Sequence, residues 1–452
     1  MAQGVIASSV NRVVVGLGAT GLSCARYFYQ RAIPFTVVDT RAQPPGLAAL
    51  QLEMPGVTVY AGEYPPEIIA DATEIVVSPG IGMDAEVVLQ ALAAGVDVVG
   101  DIDLFMREAV APVIGITGSN AKSTVTEMLG QMARDAGLDV GVGGNLGTPA
   151  LELLDDEREL YVLELSSFQL ERAGQLGLAV ATVLNISADH LDRHGSLPSY
   201  HQAKHRIFRG CGKAVVNLDD ALTVPLVAPT VDVISWRMGE PELGGFGLRL
   251  IDGVETLCFG FDGLLPVTAV GVPGRHNVAT ALAALALGHA AGLPLASMLG
   301  TLRQFRGLPH RCQLIAEING VRFIDDSKGT NIGATEAALN GLGGARDILL
   351  IAGGQGKGAD FTGLQAAVAA HCRLLVLIGE DAGLMRSALG DSAPVVMAAS
   401  MDEAVAAAAG QARPGDCVLL SPACASFDMF SGYVERGEAF SQAVARLGEV
   451  QS

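Results

Sequence analysis

Val113-Ile-Gly-Ile-Thr-Gly-Ser-Asn-Ala-Lys-Ser-Thr124 passes from an apolar run into a loop of small residues that ends in Lys-Ser-Thr. A strand, loop and helix of this kind binds phosphate. Small residues let successive backbone N–H groups turn toward phosphate oxygens, and the helix that follows adds its positive N-terminus. On this reading Gly118, Ser119, Asn120, Ala121 and Thr124 form the nucleotide loop, Lys122 reaches the β- and γ-phosphates, and Ser123 sits on Mg2+. Against G-x-x-x-x-G-K-[ST], Ala121 stands where the second glycine belongs. Val125, Met128, Leu129 and Met132 then recur at helical spacing. An ordinary glycine-containing turn between strand and helix is the plainer alternative.

Around this loop the chain is 452 residues long, which at roughly 150 residues per domain implies two to four domains. Half of its residues are hydrophobic, so each domain has the material for a core. Apolar runs stay short of the roughly 18 residues that a membrane span needs, and the N-terminus lacks a signal peptide's basic start and long apolar stretch. A soluble cytoplasmic protein without membrane insertion is expected. The seven cysteines are scattered and include no C-x-x-C, against both a disulfide framework and a structural zinc site. A formal charge of −19 opposes nonspecific binding to nucleic acid. An anionic ligand must therefore be held by a local cluster of cations and backbone N–H groups.

The order of elements predicts an α/β fold of three domains, with boundaries at 1–100, 101–307 and 308–452. In the first, strand Val13-Val-Val15, loop Gly16-Leu-Gly-Ala-Thr-Gly21, a helix and strand Phe35-Thr-Val-Val38 lead to Asp39. This is G-x-G-x-x-G followed by an acid, the Rossmann-like context of a dinucleotide site, and makes an NAD-dependent oxidoreductase one reading. Residues 101–111 read as a connector. The second domain is P-loop ATPase-like, its strands ending in Asn145, Glu164 and the run Asn185-Ile-Ser-Ala-Asp-His190. Ligands of open α/β sheets bind at that strand edge. Pro273-Gly-Arg-His-Asn277 opens an Ala/Leu-rich helix, and the third domain, again Rossmann-like, offers lysine-bearing loops at Asp325–Asn331 and Gly353–Gly358.

Glu164 and Ser123 are natural oxygen ligands for a hard cation, although Glu164 also suits a solvated strand end. His190 and His194 lie at i, i+4 without a third ligand, so zinc is not indicated, and a capping or core histidine stays open. Lys204 on spacing alone is a surface helix lysine.

Thr117–Thr124, Gly143–Gly147, Leu163–Gln169, Asn185–His194 and Gly274–Asn277, in this order, resemble the Mur ligases of bacterial peptidoglycan synthesis over essentially the whole chain. Asp325–Asn331 and Ser421–Asp428 resemble the branch that adds D-glutamate. The resemblance implies phosphorylation of the carboxylate of UDP-N-acetylmuramoyl-L-alanine by ATP and attack of D-glutamate on the acyl phosphate. It implies catalytic Lys122, His190 and Lys204, with Lys204 carbamylated. Two Mg2+ ions, with Mn2+ as a possible substitute, would be held by Ser123, Glu164, His190 and Lys204. Asn277, Arg311 and Asp326 would hold ATP, and Asn145 the muramoyl group. Lys328, Thr330, Lys357, Ser426, Phe427 and Tyr433 would surround the amino acid. Ala19, Thr20, Asp39, Thr40, Arg41 and Gly80 would form a uridine-diphosphate site, displacing the NAD reading. Thr280 stands where relatives often carry a second asparagine. A monomer is expected.

Overall fold

The computed structural model describes residues 11–272 and 274–450; the expected absence of a leader and the position of Pro273 lie outside the described residues. Strands β1 (Arg12–Val15), β2 (Phe35–Asp39), β3 (Thr58–Ala61), β4 (Glu74–Val77) and β5 (Asp97–Val99) form a parallel sheet in the order β3-β2-β1-β4-β5. Val13, Val14 and Val15 are all buried, as a strand covered on both faces requires. Gly16 and Gly21 make the following turn possible. Gly16 has φ +91°, and a Cβ on Gly21 would lie 1.8 Å from the Gly16 carbonyl oxygen. The helix Ala19–Gln30 starts there.

The second sheet contains β6 (Val113–Thr117), β7 (Val140–Gly144), β8 (Leu160–Glu164), β9 (Val180–Val183), β10 (Lys213–Asn217), β11 (Asp232–Trp236), β12 (Phe246–Ile251), β13 (Val254–Phe259) and β14 (Asp262–Pro266). Its order is β14-β13-β12-β11-β10-β9-β6-β8-β7. The P-loop strand β6 lies between β9 and β8, paired in parallel with both, and only the hairpins β12–β13 and β13–β14 are antiparallel. The helix Arg275–Ala290 is buried around most of its circumference, as its Ala/Leu content demands.

The third sheet joins β15 (Gln313–Ile318), β16 (Val321–Asp325), β17 (Ile348–Gly353), β18 (Cys372–Ile378), β19 (Val395–Met397) and β20 (Cys417–Leu420) in the order β15-β16-β20-β17-β18-β19, with β15 antiparallel. The long helix Tyr433–Val450 packs along β15 and β16.

The connector expected over 101–111 is a helix, Asp101–Glu108, with Asp101, Ile102, Leu104 and Phe105 buried. One apolar core runs through it from Val14 and Phe28 in the first domain to Tyr161 and Phe208 in the second. The cores built on the third sheet contain residues of that domain alone.

Candidate functional site

At the C-terminal end of β6 the loop is anchored by its neighbour strand: the Ser119 N–H donates to the Asn185 carbonyl at 2.9 Å and the Asn120 N–H to Asn185 Oδ1 at 2.8 Å. Ala121 has φ 64°, the left-handed region that glycine occupies without strain. The motif's glycine is therefore a backbone requirement, and this chain meets it with alanine at a cost of about 1 kcal/mol. The helix Lys122–Asp135 begins immediately after.

Lys122 Nζ donates to the carbonyls of Gly118 and Ser119, both at 2.8 Å. Lys204 Nζ donates to the same Gly118 carbonyl at 2.8 Å and lies 4.5 Å from the Tyr200 ring centroid. The surface reading of Lys204 is overturned, since only 1% of the residue is exposed. Spacing misled because the helix Leu197–His205 packs its Tyr200–Ala203–Lys204 side inward, under the P-loop. Burial drives the Lys204 amine well below its ordinary range, and the charge on Lys122 drives it further. Burial also lowers Lys122.

Glu164, the last residue of β8, is buried too. Burial would raise its pKa, but the Lys122 charge, the nearby Ser123 hydroxyl and the Asn145 amide, 2.7 Å from Oε1, hold it below the ordinary value. Its Oε2 is buried with no hydrogen-bond partner, an acceptor left open for a cation. His190 has φ 53° and sets its ring 4.8 Å from Phe168, next to Asp189. Burial lowers its pKa, so near neutral pH the imidazole keeps a lone pair to offer. His194 faces elsewhere, Nε2 lying 3.0 Å from Ser167 Oγ.

A cavity of about 310 Å3 brings these groups together. It is lined by Ser119, Asn120, Ala121, Lys122, Ser123, Asn145, Glu164, His190 and Lys204 from the second domain, and by Arg311, Lys328, Thr330, Lys357, Ser426, Phe427 and Tyr433 from the third. Arg311 Nη2 donates to Ser123 Oγ at 2.8 Å, and Asn331 Nδ2 to Asn120 Oδ1 and Asp189 Oδ2, each at 3.1 Å. Lys328 lies 3.7 Å above the Tyr433 ring, and burial depresses it to about 8. Asp189, Asn331, Tyr200 and Phe168 were not singled out as site residues from sequence. Asp189, Phe168 and Asn331 lay inside quoted motifs, whereas Tyr200 gave no local signal.

Thr124, Asn277, Arg311 and Asp326 line an adjoining cavity of about 100 Å3, together with Thr280, whose hydroxyl donates to the His276 carbonyl of its own helix. Burial raises the Asp326 carboxyl to about 6, though it accepts from Ser421 Oγ at 2.7 Å and from the Cys312 N–H at 3.2 Å. Gly118 lines neither space; its part is the carbonyl shared by the two lysines.

A third cavity, about 610 Å3, lies over the first sheet and is lined by Ala19, Thr20, Asp39, Thr40, Arg41 and Gly80. Asp39 Oδ1 accepts from the Arg41 N–H and Nε at 2.9 Å, and Oδ2 from the Leu17 N–H and Arg41 Nη2 at 2.7 Å. Partial burial opposes its charge, but Arg41 and the Leu17 amide hold it down at about 2. These bonds fill the roughly four acceptor positions of a carboxylate. With Arg41 in this position none remains for a ribose diol, which counts against the NAD reading of the glycine loop.

Three α/β domains around a phosphate loop, with a buried carboxylate and two lysines at one strand edge, define a P-loop nucleotide-dependent enzyme. Family models match consecutively: Mur ligase MurD-like, N-terminal domain (residues 10–100), Mur ligase middle domain (116–288) and Mur ligase, glutamate ligase domain (310–424). The chain belongs to the Mur ligase family. UDP-N-acetylmuramoylalanine--D-glutamate ligase of Pseudomonas aeruginosa is 55% identical over 98% of this chain and 99% of its own length. The enzyme of that name from Marinobacter nauticus is 50% identical over 98% of this chain and its full length. The crystal structure of UDP-N-acetylmuramate-alanine ligase from Thermotoga maritima shares the fold, with a TM-score of 0.60 at 18% identity over 96% of this chain and 99% of that one.

Proposed function

We propose that this chain joins D-glutamate to UDP-N-acetylmuramoyl-L-alanine with cleavage of ATP, a step of peptidoglycan precursor synthesis. The γ-phosphoryl group moves to the terminal carboxylate of the UDP substrate; the amine of D-glutamate attacks the acyl phosphate and expels inorganic phosphate, leaving an amide and ADP. The observation that carries the reading is the cavity in which the phosphate-loop side meets third-domain cations: Lys122, Glu164 and Lys204 on one side, Arg311, Lys328 and Lys357 on the other.

Lys122 and the loop amides bind the ATP phosphates and stabilise charge developing on the transferred group. Thr124, Asn277 and Asp326 line the space for the rest of the nucleotide. Arg311 reaches from the third domain to Ser123, so the phosphate site is complete only with that domain in place. Lys357, Ser426 and Phe427 receive D-glutamate, and Asn145 orients the muramoyl arm beside Glu164. In the large first-domain cavity Ala19, Thr20, Thr40, Arg41 and Gly80 hold uridine diphosphate.

The donors suit Mg2+, with Mn2+ as substitute: Ser123 and Glu164 would hold one ion, and His190 and Lys204 a second. Bound, the cations neutralise phosphate charge. The unpartnered Glu164 Oε2 supports this reading. Among the described residues no three His, Cys, Asp or Glu side chains converge as a metal cage. The resemblance to Mur ligases implies an anionic lysine instead: the neutral Lys204 amine would add CO2 and release a proton, giving a carbamate. The depressed basicity of Lys204 favours this addition.

We place the enzyme in the cytoplasm as a monomer, consistent with seven free cysteines; among the described residues no helix is long and apolar enough to cross a membrane. The deciding experiment is phosphate release from ATP with UDP-N-acetylmuramoyl-L-alanine and a panel of amino acids. D-Glutamate alone should support it, and equal turnover with L-glutamate, L-alanine or diaminopimelate would refute the assignment.

A further inference from the structure

The loop Ser78–Gly82 after β4 borders the first-domain cavity, yet what holds it comes from the second domain. Arg172, at the end of the helix Ser167–Arg172, is 4% exposed. Its Nε donates to its own helix at Phe168 O (3.0 Å), Nη1 to Val77 O (2.8 Å) and Ser78 O (2.6 Å), and Nη2 to Pro79 O (3.3 Å) and Ile81 O (2.8 Å). A guanidinium has five N–H donors, and every one is spent on a carbonyl. Arg193 approaches the same loop, its Nη2 donating to Ile81 O at 2.8 Å and to Glu171 Oε2 at 3.2 Å, and its Nη1 to Gly80 O at 3.4 Å.

We propose that Arg172 and Arg193 are positioning residues for the UDP substrate, holding the Ser78–Gly82 loop in its binding shape from the short helices that follow Glu164 and His190. The proposal rests on reading the first-domain cavity as the uridine-diphosphate site. Carbonyl oxygens bordering an anion pocket repel phosphate. Since C=O and N–H point oppositely across a trans peptide, drawing the Pro79 carbonyl onto Arg172 turns the Gly80 N–H the other way, and Gly80 lines the cavity. Opposite, Ser78 Oγ donates to the Gly16 carbonyl at 2.8 Å, removing another acceptor from the rim. The helix of Arg172 follows two residues after Glu164, and Arg193 lies three residues past His190. Loop geometry and metal-side geometry are thus fixed by the same two short segments.

The test is steady-state kinetics of Arg193→Gln and Arg193→Lys, with calorimetric titration of UDP into each. Arg193→Gln should raise the KM for the UDP substrate and the Kd for UDP about tenfold, leaving kcat and the KM values for ATP and D-glutamate within about threefold. Arg193→Lys, which keeps one donor, should fall between, and millimolar guanidinium should partly restore Arg193→Ala. Unchanged UDP affinity, or equal losses in all three KM values with a lowered Tm, would overturn the proposal. Arg172→Lys serves as the second variant; if it folds, it should show the same split more strongly, and a uniform loss would count against the idea. Arg41→Ala separates the premise: if wild-type protein does not bind UDP, or Arg41→Ala binds it as well, the cavity reading fails, whereas weakening by Arg41→Ala but not by Arg193→Gln refutes the positioning role alone.

Discussion

The loops Gly16–Gly21 and Gly118–Ala121 each follow a parallel strand and open a helix, and they differ in what surrounds them. Beneath the second-domain loop lie Lys204 and Glu164, nearly inaccessible to water, beside Lys122. The first-domain loop has Asp39 fully engaged by Arg41, whose side chain is 53% exposed. The backbone solution for holding phosphate is shared. Charges kept from water act on reacting atoms at low dielectric, and a solvated pair recognises without reacting. On the proposed function, the comparison separates a catalytic anion site from a binding one.

The sharpest way to break it is at Lys204. Lys204→Ala should lower kcat by about 10^3-fold while UDP affinity by calorimetry stays within a factor of about two, with partial rescue by acetate or formate. Lys204→Arg should be as poor, since a guanidinium forms no carbamate; near-normal turnover would mean that the buried amine is structural. Next in size, Arg41→Ala should raise the KM for the UDP substrate about tenfold and leave that for ATP unchanged. A fall in kcat instead would place the first loop in the chemistry.

A smaller effect concerns pH. Asp326 titrates at about 6 in the fold and at about 3.9 unfolded. Between those values the native state binds more protons, so this group subtracts stability as pH rises through the window, in full above about 6. Asp326→Asn should remove up to about 3 kcal/mol of that penalty. Thermal melts of variant and wild type should therefore diverge from pH 4 to 6, the variant gaining as pH rises; parallel curves would contradict the assignment. Smallest of all, Ala121→Gly should change stability by no more than about 1 kcal/mol in the favourable direction, because it relieves a left-handed alanine. A kcat altered more than about twofold would show that the strain itself is used.

Much of the fold was legible because parallel strands buried on both faces announce themselves, as Val13–Val15, Ile348–Ala352 and Cys417–Leu420 do. The edge strands Thr58–Ala61, Gln313–Ile318 and Val395–Met397 were not, being short or half exposed. At the site, motif residues on strand ends were readable. Lys204 was recoverable only by family resemblance, because whether a helical lysine points in or out depends on which neighbour covers it. Arg172 gave no signal, and Asn331 stood in a quoted motif without being singled out, since their contacts exist only across a domain boundary. Asp39 lines the first-domain cavity, but its lone pairs could be counted only in three dimensions.

The unequal joining of the domains has a mechanical consequence. The first two share a continuous apolar core through the helix Asp101–Glu108, whereas Arg311 and Asn331 fasten the third to the P-loop by hydrogen bonds. Parting oily surfaces exposes area to water, but a polar clasp trades each bond for one to solvent, at a net cost of about 1 kcal/mol apiece. Opening the first joint therefore costs more than breaking the clasp at the second. On the proposed function, the joint that is cheap to open is the one beside the cavity for nucleotide and amino acid, while the shared core holds the first-domain pocket against the second domain.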